Sequence, residues 1–195
     1  MPTQAVPFLT PEQYLEIERA AQTRSEYLAG QMYAMAGASR NHGRIVTAVG
    51  SLFFAQLRGK ECESVTTDLR LAVRQRNLIT YPDIFVTCGP DQYFDTRKDT
   101  LVDATVIAEV LSRSTRNYDV SEKFFFYRAL PSFREYLLLA QDRIHAEHHV
   151  RHADGSRLMR EYSSPSDESH FDSIGCRLLL ADVYERVEFE SAPSF

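Results

Sequence analysis

The alternation of hydrophobic and polar residues along the chain predicts a mixed succession of strands and helices. Apolar runs with the composition of strands occur at CESVTT, LRLAV, DIFVTC and ATVIAEVLS, and again at REYLLLA, RIHAEHHVRH and SRLMREYS. In SRNHGRIVTAVGSLFFAQLRG, Ile45, Val49 and Phe53 recur on one face, as in an amphipathic helix that ends near Gly59. Strands interrupted by helices indicate a mixed α/β domain with a central sheet.

Capping signals mark where the other helices begin. TPEQYLEIERAA starts with Thr10 as N-cap, Pro11 at the first helical position and Gln13 in capping-box spacing. NYDVSEKFFFYRAL shows the same spacing between Asp119 and Glu122. SEYLAGQMYAMAG predicts two short strands around a turn, and LLLADVYERV predicts a short final helix.

Length and cysteine content set the class of protein. With 195 residues, we expect one domain over residues 1–195, in which residues 1–9 form a flexible extension. No apolar run approaches the roughly 20 residues that span a bilayer, and the first residues lack the pattern of a signal peptide. Cys62, Cys88 and Cys176 lie far apart in the sequence. This spacing favours three ordinary thiols in a reducing cytoplasm over a disulfide framework or a zinc site.

The overall charge restricts how the chain could bind a polyanion. The net charge is −5, whereas proteins that simply coat nucleic acid are usually basic. A nucleic-acid partner would therefore have to be met by a local basic patch or by bound metal cations. Arg113, Arg116 and Arg128 follow the acidic strands in the sequence and are candidates for phosphate contacts.

Two carboxylates interrupt otherwise apolar strands. Asp83 stands at the start of IFV, and Glu109 stands inside VIAEVL, although acids in buried strands are costly without a partner. Asp83 alone is compatible with a turn cap or with an arginine partner such as Arg70, and Glu109 with a structural ion pair. Together they suggest carboxylates that converge, which raises at least one pKa unless a cation neutralises them. Mg²⁺ prefers such oxygen ligands.

The helix that follows these strands supplies a cation. Lys123 stands directly before the aromatic run FFFY, residues 124–127, which we expect to belong to the core. A lysine on a helix is ordinarily a solvated residue. Beside two acids, however, it could hold a nucleophilic water and stabilise negative charge that develops on a phosphate.

The order YPDIFV, IAEVLS, DVSEKFFFY and EYLLL, preceded by SEYLAGQMYAMAGASRNH, resembles the Uma-type family of putative restriction endonucleases, within the PD-(D/E)xK nuclease superfamily. The resemblance runs from about Thr10 to the final helix. It implies a restriction-endonuclease-like fold, in which helices flank a mixed β-sheet core. His42 stands where a histidine often occurs in this family, and we interpret it as a residue of the helix start.

The resemblance also implies a site. Asp83 and Glu109 match the two motif acids, which would hold Mg²⁺ or Mn²⁺, and Glu26 matches an upstream acid that would complete the metal site. The usual superfamily lysine would stand two residues after the second acid, where this chain has Leu111. The resemblance implies that its role has passed to Lys123 on the next helix.

The histidine-rich segment HAEHHVRH offers a second set of possible ligands. On a strand, His145, Glu147 and His149 would share one face, whereas His148 and His152 would share the other. Zinc favours a fixed tetrahedral set with supporting groups around it, and an exposed hairpin offers little of that support. We interpret the segment as a polar sheet edge.

These observations favour a metal-dependent endonuclease that hydrolyses phosphodiester bonds in DNA. A homodimer is expected by analogy alone, since a double-strand break needs two active sites. One alternative is a catalytically degenerate nuclease-fold module that binds nucleic acid or protein, which the net acidity and Leu111 favour. Another is a hydrolase of a different phosphoester such as RNA.

Overall fold

A computed structural model describes residues 8–66, 68–112 and 118–189, so that Arg113 and Arg116 lie outside the described part of the chain. The helices are α1 (Pro11–Ala20), α2 (Arg40–Leu57), α3 (Phe124–Tyr127) and α4 (Leu180–Val183), and a π-helix (Tyr118–Lys123) runs directly into α3. The strands are β1 (Ser25–Leu28), β2 (Gln31–Ala34), β3 (Cys62–Thr66), β4 (Arg70–Val73), β5 (Leu78–Thr80), β6 (Ile84–Cys88), β7 (Thr100–Leu101), β8 (Val106–Leu111), β9 (Glu135–Ala140), β10 (Ala146–Arg151), β11 (Arg157–Tyr162), β12 (Glu168–Phe171) and β13 (Cys176–Leu179).

The strands form three sheets, which confirms the predicted mixed α/β class. The largest sheet has the order β11-β10-β9-β8-β6-β3, a second sheet has the order β2-β1-β5-β4-β7, and β12 pairs with β13. Within the largest sheet β8 and β9 are parallel, whereas the other neighbours are antiparallel. All predicted strands are present. The short strands β5, β7, β12 and β13 were not anticipated.

The first helix begins as its sequence predicts. The side chain of Thr10 accepts a hydrogen bond from the backbone N–H of Gln13, whose side chain accepts one from the backbone N–H of Thr10. The preceding residue, Leu9, donates its N–H to the carbonyl of Gly30 and accepts from the hydroxyl of Tyr27. Leu9, the last residue of the expected extension, is thus fastened to the β1–β2 hairpin.

Helix α2 and the π-helix with α3 cover opposite faces of the largest sheet. Ile45, Val49 and Phe53 of α2 are fully buried against one face, and burial of each such side chain contributes about 1.5–3 kcal/mol. On the other face Tyr127 is buried, but the neighbouring Phe125 is 47% exposed beneath the guanidinium of Arg76. The expectation that the whole aromatic run is core is therefore wrong at this position. No helix in the described ranges is long and apolar enough to cross a membrane.

The expectation of three free thiols is also wrong. Cys62 and Cys88 stand directly opposite each other on β3 and β6 and form a disulfide, while Cys176 is a buried free thiol. The sequence separation of 26 residues concealed the pairing, because it depends on the register of two strands. The bridge fastens the edge strand β3 to the sheet.

A polar network lies inside the core between β9, β10 and the β12–β13 hairpin. Nε2 of His148 lies 2.7 Å from Oε2 of Glu135, and both side chains are 1% exposed. Nδ1 of the same imidazole lies 2.9 Å from the hydroxyl of Ser169, and the other oxygen of Glu135 accepts from the N–H of Ser173. The network thus joins the β12–β13 hairpin to β9 and β10 through polar contacts.

Removal of one member of this pair should be costly, because the remaining group stays buried without its partner. We expect Glu135→Ala to lower the free energy of unfolding by about 1–3 kcal/mol, the cost of a buried polar group that is left without its partner. The control is Glu168→Ala, which removes a partly exposed acid that pairs with the exposed His170 and should cost less than about 1 kcal/mol. Urea denaturation measures both; equal losses would contradict a structural role for the buried pair.

Candidate active site

Asp83 and Glu109 meet where β6 and β8 run side by side. In the antiparallel register Ile84 pairs with Ala108, which sets Asp83 opposite Glu109. The N–H of Asp83 donates to Oε2 of Glu109 at 3.2 Å, and the N–H of Val110 donates to Oδ2 of Asp83 at 2.8 Å. The two acids therefore accept backbone donors at the end of the ladder, which explains why strand positions tolerate them.

Glu26 approaches the same point from the second sheet. It lies on β1, where the register places it beside Thr80 of β5, and the Thr80 hydroxyl donates a hydrogen bond to its Oε1. The side chain of Glu26 is 11% exposed. An acid from each large sheet thus lies at the junction between the two sheets.

Lys123 fills the space between these acids. Its Nζ lies 3.0 Å from Oε1 of Glu26 and 3.4 Å from Oε1 of Glu109, and its side chain is 8% exposed. A third carboxylate, Asp119, lies one helical turn earlier with Oδ1 at 3.3 Å from the same nitrogen. Three carboxylates surround one ammonium, so the cluster carries an excess of negative charge.

The charges shift the proton affinities of this cluster. Burial disfavours the ammonium of Lys123, yet Glu109, Glu26 and Asp119 together raise its pKa well above the usual value. Burial, with smaller contributions from Asp83 and Asp119, also raises the pKa of Glu109, although Lys123 opposes that shift. The lysine is therefore firmly cationic, and Glu109 takes up a proton more readily than an exposed glutamate.

Two contacts at the site were not predicted. The hydroxyl of Tyr127 donates to Oε1 of Glu109 at 2.8 Å, and Nε2 of His42 lies 3.1 Å from Oδ2 of Asp83. Tyr127 follows Lys123 by four residues, a spacing that places both side chains on one helix face and could have revealed it. His42 was interpreted as a residue of the helix start, which it is, because its N–H donates to the N-cap Ser39. Its imidazole nevertheless reaches the candidate site.

The structure excludes Arg70 as the partner of Asp83, and it shows why a lysine does not suit position 111. Arg70 is 2.6 Å from Asp99 and also donates to Thr100 and Tyr81, so it is not the partner of Asp83. Leu111 is 4% exposed within the apolar cluster beneath α3. A lysine at that position would place its charge among apolar side chains.

Asp83 and Glu109 fit a hard divalent cation in donor chemistry. Both offer carboxylate oxygens, and no described residue donates a hydrogen bond to Oδ1 of Asp83. Glu26 contacts Lys123 instead. Within the described ranges, Asp83, Glu109 and Glu26 do not bring one ligand atom each within 4.8 Å of one another. Glu26 therefore belongs to the group of acids that surrounds the Lys123 ammonium and is not placed as a ligand beside Asp83 and Glu109.

Removal of the ammonium should destabilise the fold, because three carboxylates would remain at the junction without a cation. We expect Lys123→Met to cost about 3–5 kcal/mol. Burial raises the pKa of Glu109 while Lys123 lowers it. Without the ammonium this pKa rises further above its unfolded value, so the stability linked to Glu109 is retained at low pH and is lost as pH increases. The deficit relative to wild type should thus be larger at pH 8 than at pH 5 in urea denaturation. The control Lys98→Met changes an exposed lysine and should have little effect; a pH-independent deficit would contradict the assignment.

Comparisons with known proteins identify the family of the chain. The family profile described as "Uma2: Putative restriction endonuclease" matches residues 11–180. In Synechocystis sp., the "Uncharacterized protein slr1290" is 34% identical over 188 residues, which are 96% of this chain and 97% of that protein. The "Uncharacterized protein sll1609" of the same organism is 32% identical over 163 residues, 84% of this chain and 92% of that protein.

A solved structure shares the fold. It is the crystal structure of a "putative nuclease belonging to DUF820" from Anabaena variabilis, with a TM-score of 0.74 and 15% sequence identity, and the match covers 91% of this chain and 98% of that chain. The family profile spans most of the chain and two relatives align over most of their length, so the chain belongs to the Uma2 family, described as putative restriction endonucleases.

Proposed function

We propose that the chain is a divalent-cation-dependent endonuclease that hydrolyses phosphodiester bonds in DNA. The observation that carries the proposal is the junction at which Asp83, Glu109 and Lys123 meet, two acids and one buried ammonium. Family membership supports nuclease chemistry. Mg²⁺ or Mn²⁺ held by Asp83 and Glu109 would supply Lewis acidity to the phosphate and to a water.

The side chains around the two acids have separate tasks in this proposal. Lys123 stabilises negative charge on the phosphate and orients the attacking water. Glu26 and Asp119 hold the ammonium in place, since both lie within 3.3 Å of Nζ. His42 and Tyr127 orient the carboxylates of Asp83 and Glu109 through the contacts described above.

A cluster of three arginines beside the site favours an anionic substrate. Arg128 lies five residues beyond Lys123, which corresponds to an axial rise of about 7.5 Å in an α-helix. The guanidinium carbons of Arg128 and Arg157 lie 5.8 Å and 5.7 Å from the centre of the Phe124 ring. Arg151 stands directly opposite Arg157 on β10 and β11. The positive charges are thus gathered beside the helix that carries the lysine.

The arginine cluster lacks compensating acids. None of Arg128, Arg151 and Arg157 forms a salt bridge with a carboxylate in the part of the chain that is described. Burial and then the charges of Arg128 and Arg151 lower the pKa of Arg157. Like charges directly opposite on a sheet are destabilising, and a phosphate backbone would relieve that repulsion. Such a patch is the local basic surface that an acidic protein would need to bind a polyanion.

The degenerate-module alternative retains one favourable observation, which is that carboxylates enclose Lys123 on several sides. A hydrolase of RNA would use the same groups, so the substrate assay has to include RNA. A cytoplasmic location, where DNA is accessible, and a homodimer that brings two sites to one duplex both belong to the proposal.

Loss of either acid should abolish cleavage. We expect wild-type protein with Mg²⁺ or Mn²⁺ to nick supercoiled DNA, and Asp83→Asn or Glu109→Gln to lower the rate by at least ~10²–10³-fold, the loss typical of a single electrostatic stabiliser. Asp142→Asn changes a half-exposed acid in the β9–β10 turn and serves as the control. Gel assays on supercoiled DNA, single-stranded DNA and RNA measure the rates.

The outcomes of this assay separate the three functions. Cleavage of RNA alone would support the other-phosphoester hydrolase, and binding of DNA without cleavage under any divalent cation would support the degenerate module. Full activity in Asp83→Asn would remove that carboxylate from the mechanism and overturn the proposed site.

The arginine cluster should account for part of the salt dependence of DNA binding. For B-DNA each neutralised phosphate contributes a slope of about −0.9 in log K against log salt. We therefore expect Arg151→Gln combined with Arg157→Gln to reduce the slope by about 2. Fluorescence anisotropy of a labelled duplex in EDTA, from low to moderate KCl, measures it without cleavage.

The matched control for this measurement is Arg143→Gln. Arg143 already pairs with Asp142 and lies at the opposite end of β10, so its loss should leave the slope unchanged. An unchanged slope in the double variant would show that the phosphates bind elsewhere.

A further inference from the structure

A second group of metal-ligating side chains lies on the outer hairpin of the largest sheet. His145 directly precedes β10, Glu147 is the second residue of β10, and Glu161 lies on β11. One ligand atom from each lies within 4.8 Å of the other two. His145 and Glu147 are each 16% exposed at their side chains, whereas Glu161 is exposed. The group therefore has two partly enclosed ligands and one open side.

The two acids of this group are paired unfavourably. Glu147 and Glu161 stand directly opposite each other in the β10–β11 register, and like charges at opposed positions destabilise a sheet. No lysine or arginine of the described ranges forms a salt bridge with either carboxylate. The partners of Glu147 are imidazoles, which bind transition metals as neutral groups. A bound cation would remove the repulsion.

Imidazole nitrogens flank both oxygens of Glu147. Nε2 of His145 lies 3.4 Å from Oε1, and Nε2 of His149 lies 3.8 Å from Oε2. The Nε2 atom of His149 is buried, and the distance to this Glu147 oxygen is too long for a good hydrogen bond. A buried ring nitrogen without a partner is costly, and it adds a nitrogen donor next to the three ligands.

We propose that His145, Glu147 and Glu161, supported by His149, bind a divalent transition metal of the Zn²⁺ class. Imidazole with carboxylate is a donor set that Zn²⁺ accepts, with ligand bonds of about 2.0–2.2 Å. Tetrahedral ligands at these bond lengths lie about 3.3 Å apart. The ligand atoms of this group now lie within 4.8 Å of one another, so small side-chain rotations would bring them to that distance. The hairpin register already fixes the backbone positions.

This site is separate from the one that the proposed function uses. Glu109 pairs with Leu138, and Leu138 pairs with Glu147, so the two acids lie on one sheet face two strands apart. Neighbouring strands are about 4.8 Å apart, which separates their backbones by roughly 10 Å. The buried side chain of Leu138 lies between them. One ion cannot contact both acids, and the chain would hold two independent cations.

Isothermal titration of the full chain with ZnCl₂ at pH 7, paired with visible absorption of Co²⁺, tests the proposal. We expect one Zn²⁺ to bind at this hairpin, and the intense bands of tetrahedral Co²⁺ to appear. His145→Ala removes a ligand and should weaken that binding by at least about 10–100-fold, the loss that a change in an outer-shell partner alone causes. Glu161→Gln, at an exposed position where folding is not at risk, should weaken it as well.

Two controls keep this test distinct from the nuclease proposal. His152→Ala removes an exposed histidine just beyond β10 and should leave Zn²⁺ binding intact. Asp83→Asn should also leave the hairpin ion intact while it removes binding at the other site. Absence of Zn²⁺ binding, equal affinity in Glu161→Gln and wild type, or loss of the Co²⁺ bands in Asp83→Asn would overturn the proposal, whatever the outcome of the cleavage assay.

Discussion

The fold depends on one buried ammonium that joins the two large sheets and the π-helix. Lys123 contacts Glu26 of the second sheet, Glu109 of the largest sheet and Asp119 of its own π-helix. A buried cation that loses one such partner is strongly destabilised. The position of the π-helix over the sheet and the position of the two sheets relative to each other are therefore coupled. π-Helical turns occur often at functional sites, and here one sets the lysine and Asp119 on the same face.

The same charges make the junction suited to chemistry as well as to structure. Three carboxylates around one ammonium leave a net negative charge, to which Asp83, directly before β6, adds a fourth acid. Such an excess is costly inside a protein, and the divalent cation of the proposed function would compensate it. The arginine cluster on the neighbouring hairpin has the opposite excess. In the proposed function, the divalent cation would bind at the acids and the phosphate backbone of DNA would bind at the arginine cluster, both on the same side of the sheet.

Periodicity and capping signals predicted most of the large elements. The capping box at Thr10, the buried face of α2 and the strands that carry Asp83 and Glu109 are all set by local sequence. β5, with three residues, and β7, with two, are too short for a pattern to emerge, and their existence depends on neighbouring strands. The Cys62–Cys88 bridge depends likewise on strand register.

The site was predictable where a residue contradicts its local environment. Glu109 inside VIAEVL indicates a functional or paired position, because burial of a charge requires a partner. His42 gives no such signal, since a histidine in the first turn of a helix is ordinary, and Tyr127 is indicated only by its four-residue spacing from Lys123. Their contacts arise from tertiary packing. The cross-strand pairs of like charge on β10 and β11 were hidden for the same reason, because they require the register.

The most direct measurement is the anomalous scattering of Mn²⁺ in crystals of the protein. The expected result is a peak bound by carboxylate oxygens of Asp83 and Glu109, at distances near the ~2.1 Å of Mg²⁺–oxygen bonds, with the Lys123 nitrogen retained beside it. Density for Mn²⁺ that lies elsewhere, with Asp83 and Glu109 still bonded only to protein groups, would contradict the account.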